Sequence, residues 1–303
     1  MLLKGRSEST ELLTNRYLHV RMELPEKELF HYLNLEKGFE GEIKFDLLAE
    51  SILQEERFVI NDLLLEVNSS YFQIDTLIIS QGMIHLIDIK NFQGDFYLES
   101  DKLYSAATKR ECKNPIDQLK RSATLFRQLL QNLKVHYLVE ASVLFINPEF
   151  TLYQAPLDQP IIFPTQVNRF LTNLNKTPSK LNEGHNKLAQ KLLTLHQPEH
   201  PFAKRPTYHY DQLQKGIYCK TCKSFLISIK NNNIMCKKCG ALEKIELAIL
   251  RNAKEFILLF PNQKITTQNI YRWCNVDLHQ RTVSRVLKKH YTLCGSTRDS
   301  YYK

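Results

Sequence analysis

Two short apolar runs on either side of one turn constrain this chain more than any other feature. Tyr71–Ile79 and Met83–Lys90 are rich in Ile and Leu and have the length of strands, which predicts an antiparallel hairpin. With the turn centred on Gln81-Gly82, Asp75 lies directly opposite Asp88. Cross-strand partners have Cβ atoms roughly 5 Å apart, where like charges repel each other. The hairpin therefore predicts a patch that needs a cation between its carboxylates or a shifted pKa.

Lys90 is the next residue on the face of Asp88, because side chains alternate along a strand. Mg2+ prefers oxygen ligands and often takes only one or two carboxylates. We therefore predict Asp75 and Asp88 as ligands of Mg2+ or Mn2+ and as catalytic residues. Lys90 could orient or deprotonate an attacking water, or offset charge on a phosphorane. A diagonal salt bridge between Asp75 and Lys90 on a solvated sheet face is the alternative interpretation.

Two predicted helices add candidates to this site. Asn114-Pro115 favours a helix start, since Asn is a good N-cap and Pro suits the first helical position. Gln118 then lies one turn in, where its amide could position the substrate or a metal-bound water. A helix over Phe39–Leu53 carries Glu42 near its start as a third carboxylate. Both side chains could instead be exposed polar residues on helix surfaces. In the Phe39–Leu53 helix the residues predicted to face inward are Ile43, Leu47 and Leu48.

These residues resemble the nuclease-related domain (NERD) family, a branch of the PD-(D/E)XK nuclease superfamily. The matching stretches are Gly41-Glu42, Gln73-Ile74-Asp75, Gly82, Asp88-Ile89-Lys90, Asn91, Gly94, Asn114-Pro115-Ile116 and Gln118. The resemblance covers about residues 38–165 and implies an α/β core with a central hairpin and a metal-dependent nuclease activity. It implies an active centre of Asp75, Asp88 and Lys90, supported by Glu42 and Gln118. The sequence departs from the family at Asp88, where Glu is more frequent, and at Ser122, where some related nucleases have Tyr.

Four cysteines in two closely spaced pairs indicate a second metal site. Cys219 and Cys222 are separated by two residues, as are Cys236 and Cys239. Two thiolate pairs of this kind form a closed tetrahedral site that is typical of structural Zn2+. Gly240 suits the tight turn after the second pair, and the segment resembles a zinc ribbon. A redox-active CxxC pair is the alternative.

The positive charge is concentrated in the last third of the chain. Residues 1–200 carry 22 Lys and Arg against 26 Asp and Glu, whereas residues 201–303 carry 19 against 6. A basic module joined to a mildly acidic one predicts binding to a polyanion, here nucleic acid and most simply DNA. The alternative is that the lysines only keep a small domain soluble.

The end of the chain resembles a helix-turn-helix domain, with Tyr291–Tyr302 as a wing. A helix from about Leu242 to Phe260 is followed by a shorter helix capped by Thr266 or Thr267, and Asp277 is the expected N-cap of the last helix. Small three-helix domains bind protein as well as DNA, so a protein partner is the alternative. One face of the last helix is predicted to contact nucleic acid through Arg281, Ser284, Arg285 and Lys288.

Together these patterns predict an α/β fold: a PD-(D/E)XK nuclease-like mixed sheet flanked by helices, then a small zinc ribbon and a small winged-helix-like domain. No apolar run is long enough for a membrane helix, and no signal peptide is evident, so we expect a cytoplasmic protein. We expect a Mg2+- or Mn2+-dependent nuclease; a nucleic-acid-binding protein with little activity and a regulatory adaptor are the alternatives. The predicted domains are a helical leader (1–38), the NERD-like domain (39–195), a Pro-rich linker (196–212), the zinc ribbon (213–241) and the helical domain (242–303).

Overall fold

The computed structural model describes residues 1–199, 201, 206–295 and 300–303, and it shows a mixed α/β protein. The strands of these residues are β1 (Leu2–Lys4), β2 (Phe58–Val67), β3 (Ser70–Ile79), β4 (Met83–Lys90), β5 (Gly94–Glu99), β6 (Lys102–Ser105), β7 (Glu111–Cys112), β8 (Leu138–Phe145), β9 (Phe150–Tyr153), β10 (Ile161–Ile162), β11 (Ile227–Lys230), β12 (Asn233–Cys236), β13 (Leu242–Lys244), β14 (Leu293–Cys294) and β15 (Tyr301–Tyr302). The helices are α1 (Thr10–Arg21), α2 (Glu26–Ile52), α3 (Pro115–Asn132), α4 (Val167–Lys176), α5 (Glu183–Leu195), α6 (Ile245–Leu259), α7 (Thr267–Cys274) and α8 (Gln280–His290), with 3-10 turns at Pro164–Gln166 and Tyr210–Gln212.

The chain folds as two compact units. The first contains Met1–Glu8 and Leu33–Ala203, and the second contains Ser9–Tyr32 and Lys204–Lys303. Helix α2 begins in the second unit and continues in the first. None of the described helices is both long and apolar enough to cross a bilayer. The predicted linker, residues 196–212, falls partly on residues 200 and 202–205, which lie outside the described residues.

A six-stranded mixed sheet forms the centre of the first unit, in the order β1-β2-β3-β4-β8-β10. Strands β2, β3 and β4 form an antiparallel meander, and β1, β8 and β10 extend it in parallel. One face packs against residues of α3 and α5, and the other face packs against residues of α2 and α4. The prediction of a mixed sheet flanked by helices is therefore confirmed. A second sheet, in the order β7-β6-β5-β9, follows from the end of β4.

The two predicted features that place the candidate site are confirmed. Strands β3 and β4 pair antiparallel with Thr76 opposite Ile87 and Ile79 opposite Ile84, which is the register predicted from the turn. Helix α3 begins where predicted, because the Asn114 side chain accepts a hydrogen bond from the Ile116 backbone N–H at 3.0 Å. This N-cap satisfies one of the amides that an α-helix leaves unpaired at its start.

The N-terminal leader, predicted to be helical, also contains a strand. Leu2–Lys4 is an edge strand that pairs in parallel with β2, and only Thr10–Arg21 and the start of α2 are helical. The apolar side chain of Leu3 packs against the core of the sheet. This burial favours the strand, and it places the residues that follow β1 beside the central sheet.

The inward face of α2 was predicted wrongly at Leu47, which is 62% exposed. Gly41, Phe45 and Ala49, spaced four residues apart, are buried instead. These positions lie on one side of the helix, and Leu48 packs against the same core cluster as Phe45 and Ala49, as predicted. Because α2 begins at Glu26 and not at Phe39, Glu42 lies in the middle of a long helix rather than near a helix start.

The second unit combines α1, the four-cysteine segment and the C-terminal helices. A three-stranded sheet, β11-β12-β13, is followed by α6, α7 and α8, and β14 pairs with β15. The helix predicted from Leu242 begins only at Ile245, because Leu242–Lys244 pairs with β12. The last helix is capped by His279 and not by Asp277. The predicted wing includes residues 296–299, which lie outside the described residues.

A buried arginine connects several segments of this second unit. The Arg21 guanidinium donates to both carboxylate oxygens of Glu255, at 2.6 and 3.0 Å, and to the Asn252 side chain at 2.8 Å. It also donates to the Gln214 carbonyl at 2.7 Å and lies 4.0 Å from the ring centroid of Trp273. Because a buried charge is costly unless it is paired, these contacts hold α1, α6, α7 and the start of the cysteine segment in one arrangement.

We predict that Gly41→Ala lowers the free energy of unfolding by about 1–3 kcal/mol, the usual cost of overpacking. A Cβ at Gly41 would lie 2.5 Å from Cβ of Asn91, whereas a Cβ at Gly38, in the same helix, meets nothing within 4 Å. Gly38→Ala is the matched control, and it should stabilise the protein by roughly 0.5–1 kcal/mol through helix propensity. Urea unfolding of both variants measures the difference. Equal stability of the two variants would contradict close packing of α2 against the end of β4.

Candidate functional site

Three aspartates lie in register on three adjacent strands. The ladder of β2 and β3 pairs Asn61 with Thr76 and Leu63 with Ile74, so Asp62 lies opposite Asp75. The ladder of β3 and β4 ends with Thr76 opposite Ile87, and Asp75 and Asp88 are the residues immediately beyond this last pair. A sheet interior rarely accommodates three like charges in one row, because neighbours at this spacing repel. The row therefore requires compensating groups.

The regular alternation of side chains is interrupted at this row. Ile74 and Leu77 are three residues apart yet belong to the same core cluster, and so do Ile60 and Leu63 on the neighbouring strand. Asp62 itself adopts a left-handed backbone conformation, with φ 52°. Strict alternation would send alternate residues to opposite faces. Because of this interruption, the residues before and after the acidic row pack into the same hydrophobic core on β2 and on β3.

Asp88 is held between a lysine and a glutamine. The Lys90 Nζ lies 2.8 Å from Asp88 Oδ2, and the Gln118 amide donates to Asp88 Oδ1 at 3.3 Å. Burial raises the pKa of Asp88 to about 7, with a further increase from the charge of Asp75, and Lys90 opposes both effects. Burial alone would lower the pKa of Lys90, but Asp88 and Asp75 outweigh it and raise this pKa above its usual value. Lys90 is thus a cation at the edge of the carboxylate cluster.

Asp75 and Glu42 complete the group of acidic side chains. Asp75 Oδ2 accepts a hydrogen bond from the Ile89 backbone N–H at 2.8 Å, which ties the carboxylate to the neighbouring strand. Glu42 reaches the same region from α2, and its side chain is 19% exposed. Burial and the nearby charge of Asp75 raise the pKa of Glu42 to about 8, although Arg6 opposes the shift. The site holds more acidic groups than its own cations can balance.

Arg6 supplies the compensating charge on the Asp62 side. Its guanidinium lies 2.7 Å from Asp62 Oδ1 and 3.1 Å from Glu42 Oε2, and it forms two hydrogen bonds with the Asp46 carboxylate at 2.9 and 3.0 Å. Two cations therefore flank the row, Arg6 at Asp62 and Lys90 at Asp88. Asp75 lies between these two ion pairs.

The donor set fits Mg2+ or Mn2+. Asp75, Asp88 and Glu42 offer oxygen ligands, which these cations prefer, and burial together with the charge of Asp75 raises the pKa values of Asp88 and Glu42. Among the described residues, only the four cysteines bring three or more candidate ligand atoms within 4.8 Å of one another. The carboxylates are therefore not a closed cage. They resemble the sparse protein contribution that leaves room for water and substrate oxygens around Mg2+.

The geometry agrees with a comparison to protein families. Residues 37–146 match the family model of the nuclease-related domain. This range includes Glu42, Asp75, Asp88, Lys90 and Gln118, and the nuclease-related domain implies a nuclease-like fold for this part of the chain. No curated protein and no solved structure was found to match the chain.

Direct contacts join three of the five residues predicted for the site, Asp88, Lys90 and Gln118, whereas Asp75 bonds to the Ile89 N–H and Glu42 bonds to Arg6. Sequence reasoning missed Asp62, although the signal was present: Asn68-Ser69 is a turn between β2 and β3, and the same counting that pairs Asp75 with Asp88 pairs Asp62 with Asp75. It also missed Arg6 and Asp46. Arg6 lies 36 residues from Glu42 in sequence, and no local pattern marks such a long-range contact.

The cysteines of the second unit form a compact cluster. Sγ of Cys219 lies 3.6 Å from Sγ of Cys239, and Sγ of Cys222 lies 3.5 Å from Sγ of Cys236. The Thr221 backbone N–H donates to Cys219 Sγ, and the equivalent amide at Lys238 donates to Cys236 Sγ, both at 3.4 Å. All four sulfurs lie within 4.8 Å of one another. The cluster could bind Zn2+ as a closed four-thiolate site and is compatible with a zinc ribbon.

The last helix presents the cationic face that the sequence predicted. Val283, Val286 and Leu287 are buried. The other four predicted residues lie away from this apolar stripe: Arg281, Arg285 and Lys288 are exposed, and Ser284 is half-buried. These exposed cations are available for contacts with phosphates or with another acidic surface.

We predict that Glu42→Gln stabilises the protein more at pH 8.5 than at pH 5, without added Mg2+ or Mn2+. The pKa of Glu42 is raised from 4.5 to about 8. Between pH 4.5 and about pH 8, Glu42 therefore keeps its proton in the folded state and has lost it in the unfolded state. Stability therefore falls as the pH rises through this window, and Gln avoids the loss. Thermal unfolding at both pH values should show a gain of a few degrees in Tm that is largely confined to pH 8.5.

Glu40→Gln is the matched control for this pH dependence. Glu40 is an exposed residue of the same helix, and surface substitutions usually change stability by less than about 0.5 kcal/mol. Its Tm should stay within about a degree of the unmodified protein at both pH values. A Glu42→Gln effect that is the same at pH 5 and pH 8.5 would show that the Glu42 carboxyl does not titrate in this range.

Proposed function

We propose that the protein is a Mg2+- or Mn2+-dependent nuclease that hydrolyses phosphodiester bonds, most simply in DNA. One observation carries this proposal: the Lys90 ammonium lies 2.8 Å from the buried Asp88 carboxylate, which Gln118 also contacts, in the segment that matches the nuclease-related domain. Buried carboxylates that repel each other cost folding free energy. Titratable groups in such surroundings cluster at functional sites. A divalent cation bound together with phosphate would offset the repulsion between these carboxylates.

The chain's own residues have distinct roles in this reaction. A divalent cation held by Asp75 and Asp88, with Glu42 as a third donor, would polarise a phosphoryl oxygen and activate water. Lys90, 2.8 Å from Asp88, would stabilise negative charge that develops on the phosphoryl oxygens. The Gln118 amide orients Asp88 through its 3.3 Å hydrogen bond, and the Ile89 N–H orients Asp75. Because Lys90 is a protonated partner of carboxylates, the ammonium suits charge stabilisation better than proton abstraction.

The second unit is proposed to recruit nucleic acid. It carries the basic excess of the chain, and the cationic face of α8 is exposed. A zinc ribbon held by Cys219, Cys222, Cys236 and Cys239 would support this winged-helix-like module. In this arrangement the cations of α8 contact phosphates, which gives affinity that depends on salt and little sequence preference.

We expect Asp88→Asn and Lys90→Ala each to lower cleavage of plasmid DNA at least about 100-fold, the usual effect of removing a group that stabilises developing charge. Asp95→Asn, which removes an exposed carboxylate from β5, is the control and should retain activity. Cleavage is measured with Mg2+ and with Mn2+, and thermal unfolding verifies that each variant is folded.

Two results would contradict the proposed chemistry. Cleavage that continues unchanged in folded Asp88→Asn would place the activity elsewhere or in a contaminant. DNA binding without any cleavage by the unmodified protein, in either metal, would favour the alternative of a nucleic-acid-binding protein with an inactive nuclease-like core.

The recruitment role predicts a measurable change in the salt dependence of DNA binding. Replacing Arg281, Arg285 and Lys288 together by Ala should reduce the slope of log K against log salt concentration by up to about 2–3, because each phosphate contact contributes roughly 0.9. The control is a triple substitution of Lys176, Lys180 and Lys191 to Ala, which removes the same charge from exposed positions of the first unit. Equal slopes for the two triple variants would argue against α8 as the phosphate-binding surface.

A further inference from the structure

Arg6 is the most completely paired cation at the proposed active site. Its guanidinium donates five hydrogen bonds, four to carboxylate oxygens and one to Thr76 Oγ1 at 2.9 Å. The carboxylates belong to Glu42 and Asp46 of α2 and to Asp62 of β2. The Arg6 side chain is only 1% exposed. A surface salt bridge has neither this burial nor this number of partners.

The segment around Arg6 is fixed independently of the guanidinium. Lys4 Nζ donates to the backbone carbonyls of Asn61 and Asp62 at 2.8 and 3.1 Å, and the Ser7 backbone N–H donates to Asp62 Oδ2 at 3.1 Å. Strand β1 pairs with β2 immediately before this point. These contacts fix the backbone on both sides of Arg6, so its side chain lies beside Asp62.

The carboxylates around Arg6 surround a single fixed positive charge. Glu42, Asp46 and Asp62 direct oxygens at one guanidinium from two different elements. Three carboxylates with a single fixed positive charge between them leave a net negative charge. Without the guanidinium, only a bound cation or protonation could keep these groups together.

We propose that Arg6 is a built-in cation that occupies one side of the site, so that the site binds a single divalent ion, on the side of Asp75 and Asp88. Arginine is suited to this task because it stays charged at every accessible pH and fits carboxylates with two parallel hydrogen bonds. The Glu42 carboxylate accepts a hydrogen bond from Arg6 at 3.1 Å. Arg6 is thus a positioning residue, which restrains Glu42 without touching substrate.

The test counts Mn2+ bound to the full-length, zinc-loaded protein by equilibrium dialysis and electron paramagnetic resonance. The unmodified protein should bind one Mn2+ per chain, and Asp88→Asn should bind none. Arg6→Met keeps the length of the side chain but removes the charge, and it should bind two. Arg57→Met is the matched control and should still bind one, because Arg57 is also buried but donates to the carbonyls of Leu174 and Thr177 rather than to carboxylates.

The outcomes separate this inference from the nuclease proposal on which it rests. Two ions in the unmodified protein, or one ion in both the unmodified protein and Arg6→Met, would overturn the role of Arg6 and leave metal-dependent hydrolysis intact. No ion in the unmodified protein and one in Arg6→Met would support Arg6 as a cation substitute while contradicting the proposed metal site at Asp75 and Asp88. No ion in either protein would overturn both.

Loss of the guanidinium could itself unfold the first unit, and this outcome is also informative. If Arg6→Met is unfolded or has a low Tm, Mn2+ should raise that Tm by several degrees more than it raises the Tm of the unmodified protein, because an ion would replace the missing charge. The inference would be refuted if Mn2+ raised the Tm of a destabilised Arg6→Met protein no more than it raises the Tm of the unmodified protein. Arg6→Lys keeps a positive charge and should return the count to one Mn2+ per chain.

Discussion

Electrostatic repulsion between side chains of neighbouring strands is the constraint on which the first unit depends. The register of β2, β3 and β4 places Asp62, Asp75 and Asp88 in one row, and Glu42 adds a fourth carboxyl from α2. The apolar residues around this row determine the register, so the carboxylates cannot move apart without exposing the core. The repulsion must be compensated where it occurs, and Arg6 and Lys90 provide fixed charges at the two ends of the row.

The interruption of the sheet at this row connects stability with function. Regular strands would either bury these carboxylates in the core or expose them on the opposite face. Here the alternation is broken, because Asp62 has a left-handed backbone conformation and because Ile74 and Leu77 pack into the same core. The carboxylates consequently lie neither inside the core nor on the opposite face. Backbone irregularities of this kind commonly lie next to active sites, where they redirect a side chain. The acidic row therefore contacts Arg6, Lys90 and Gln118, while the core remains closed on both sides.

Local patterns allowed the centre of the site to be predicted, and long-range contacts prevented prediction of the rest. The turn at Gln81-Gly82 sets the pairing of Asp75 with Asp88 by simple counting, and Asn114 marks the start of the helix that carries Gln118. Arg6 left no such signal, because its partners are 36 to 70 residues away.

Helix faces and caps were predictable only where the period of apolar residues was clear. The buried residues of α3 recur at helical spacing, whereas Leu47 of α2 is apolar and exposed. The Leu242 segment was predicted as the start of a helix, yet its pairing with β12 decides its conformation. Tertiary pairing overrides a weak local preference at such boundaries.

The first 21 residues make the same kind of contribution to each unit. Arg6 is enclosed by carboxylates of the first unit, and Arg21 is enclosed by Glu255, Asn252 and Trp273 of the second. In both places an N-terminal segment delivers a guanidinium that neutralises a buried acid, and breaking such a pair leaves an uncompensated charge. A segment that composition alone marks as a polar leader is therefore part of both folded units. Its deletion would remove two buried arginines together with all of their ion pairs, so the effect of either arginine can be assigned only by substituting it alone.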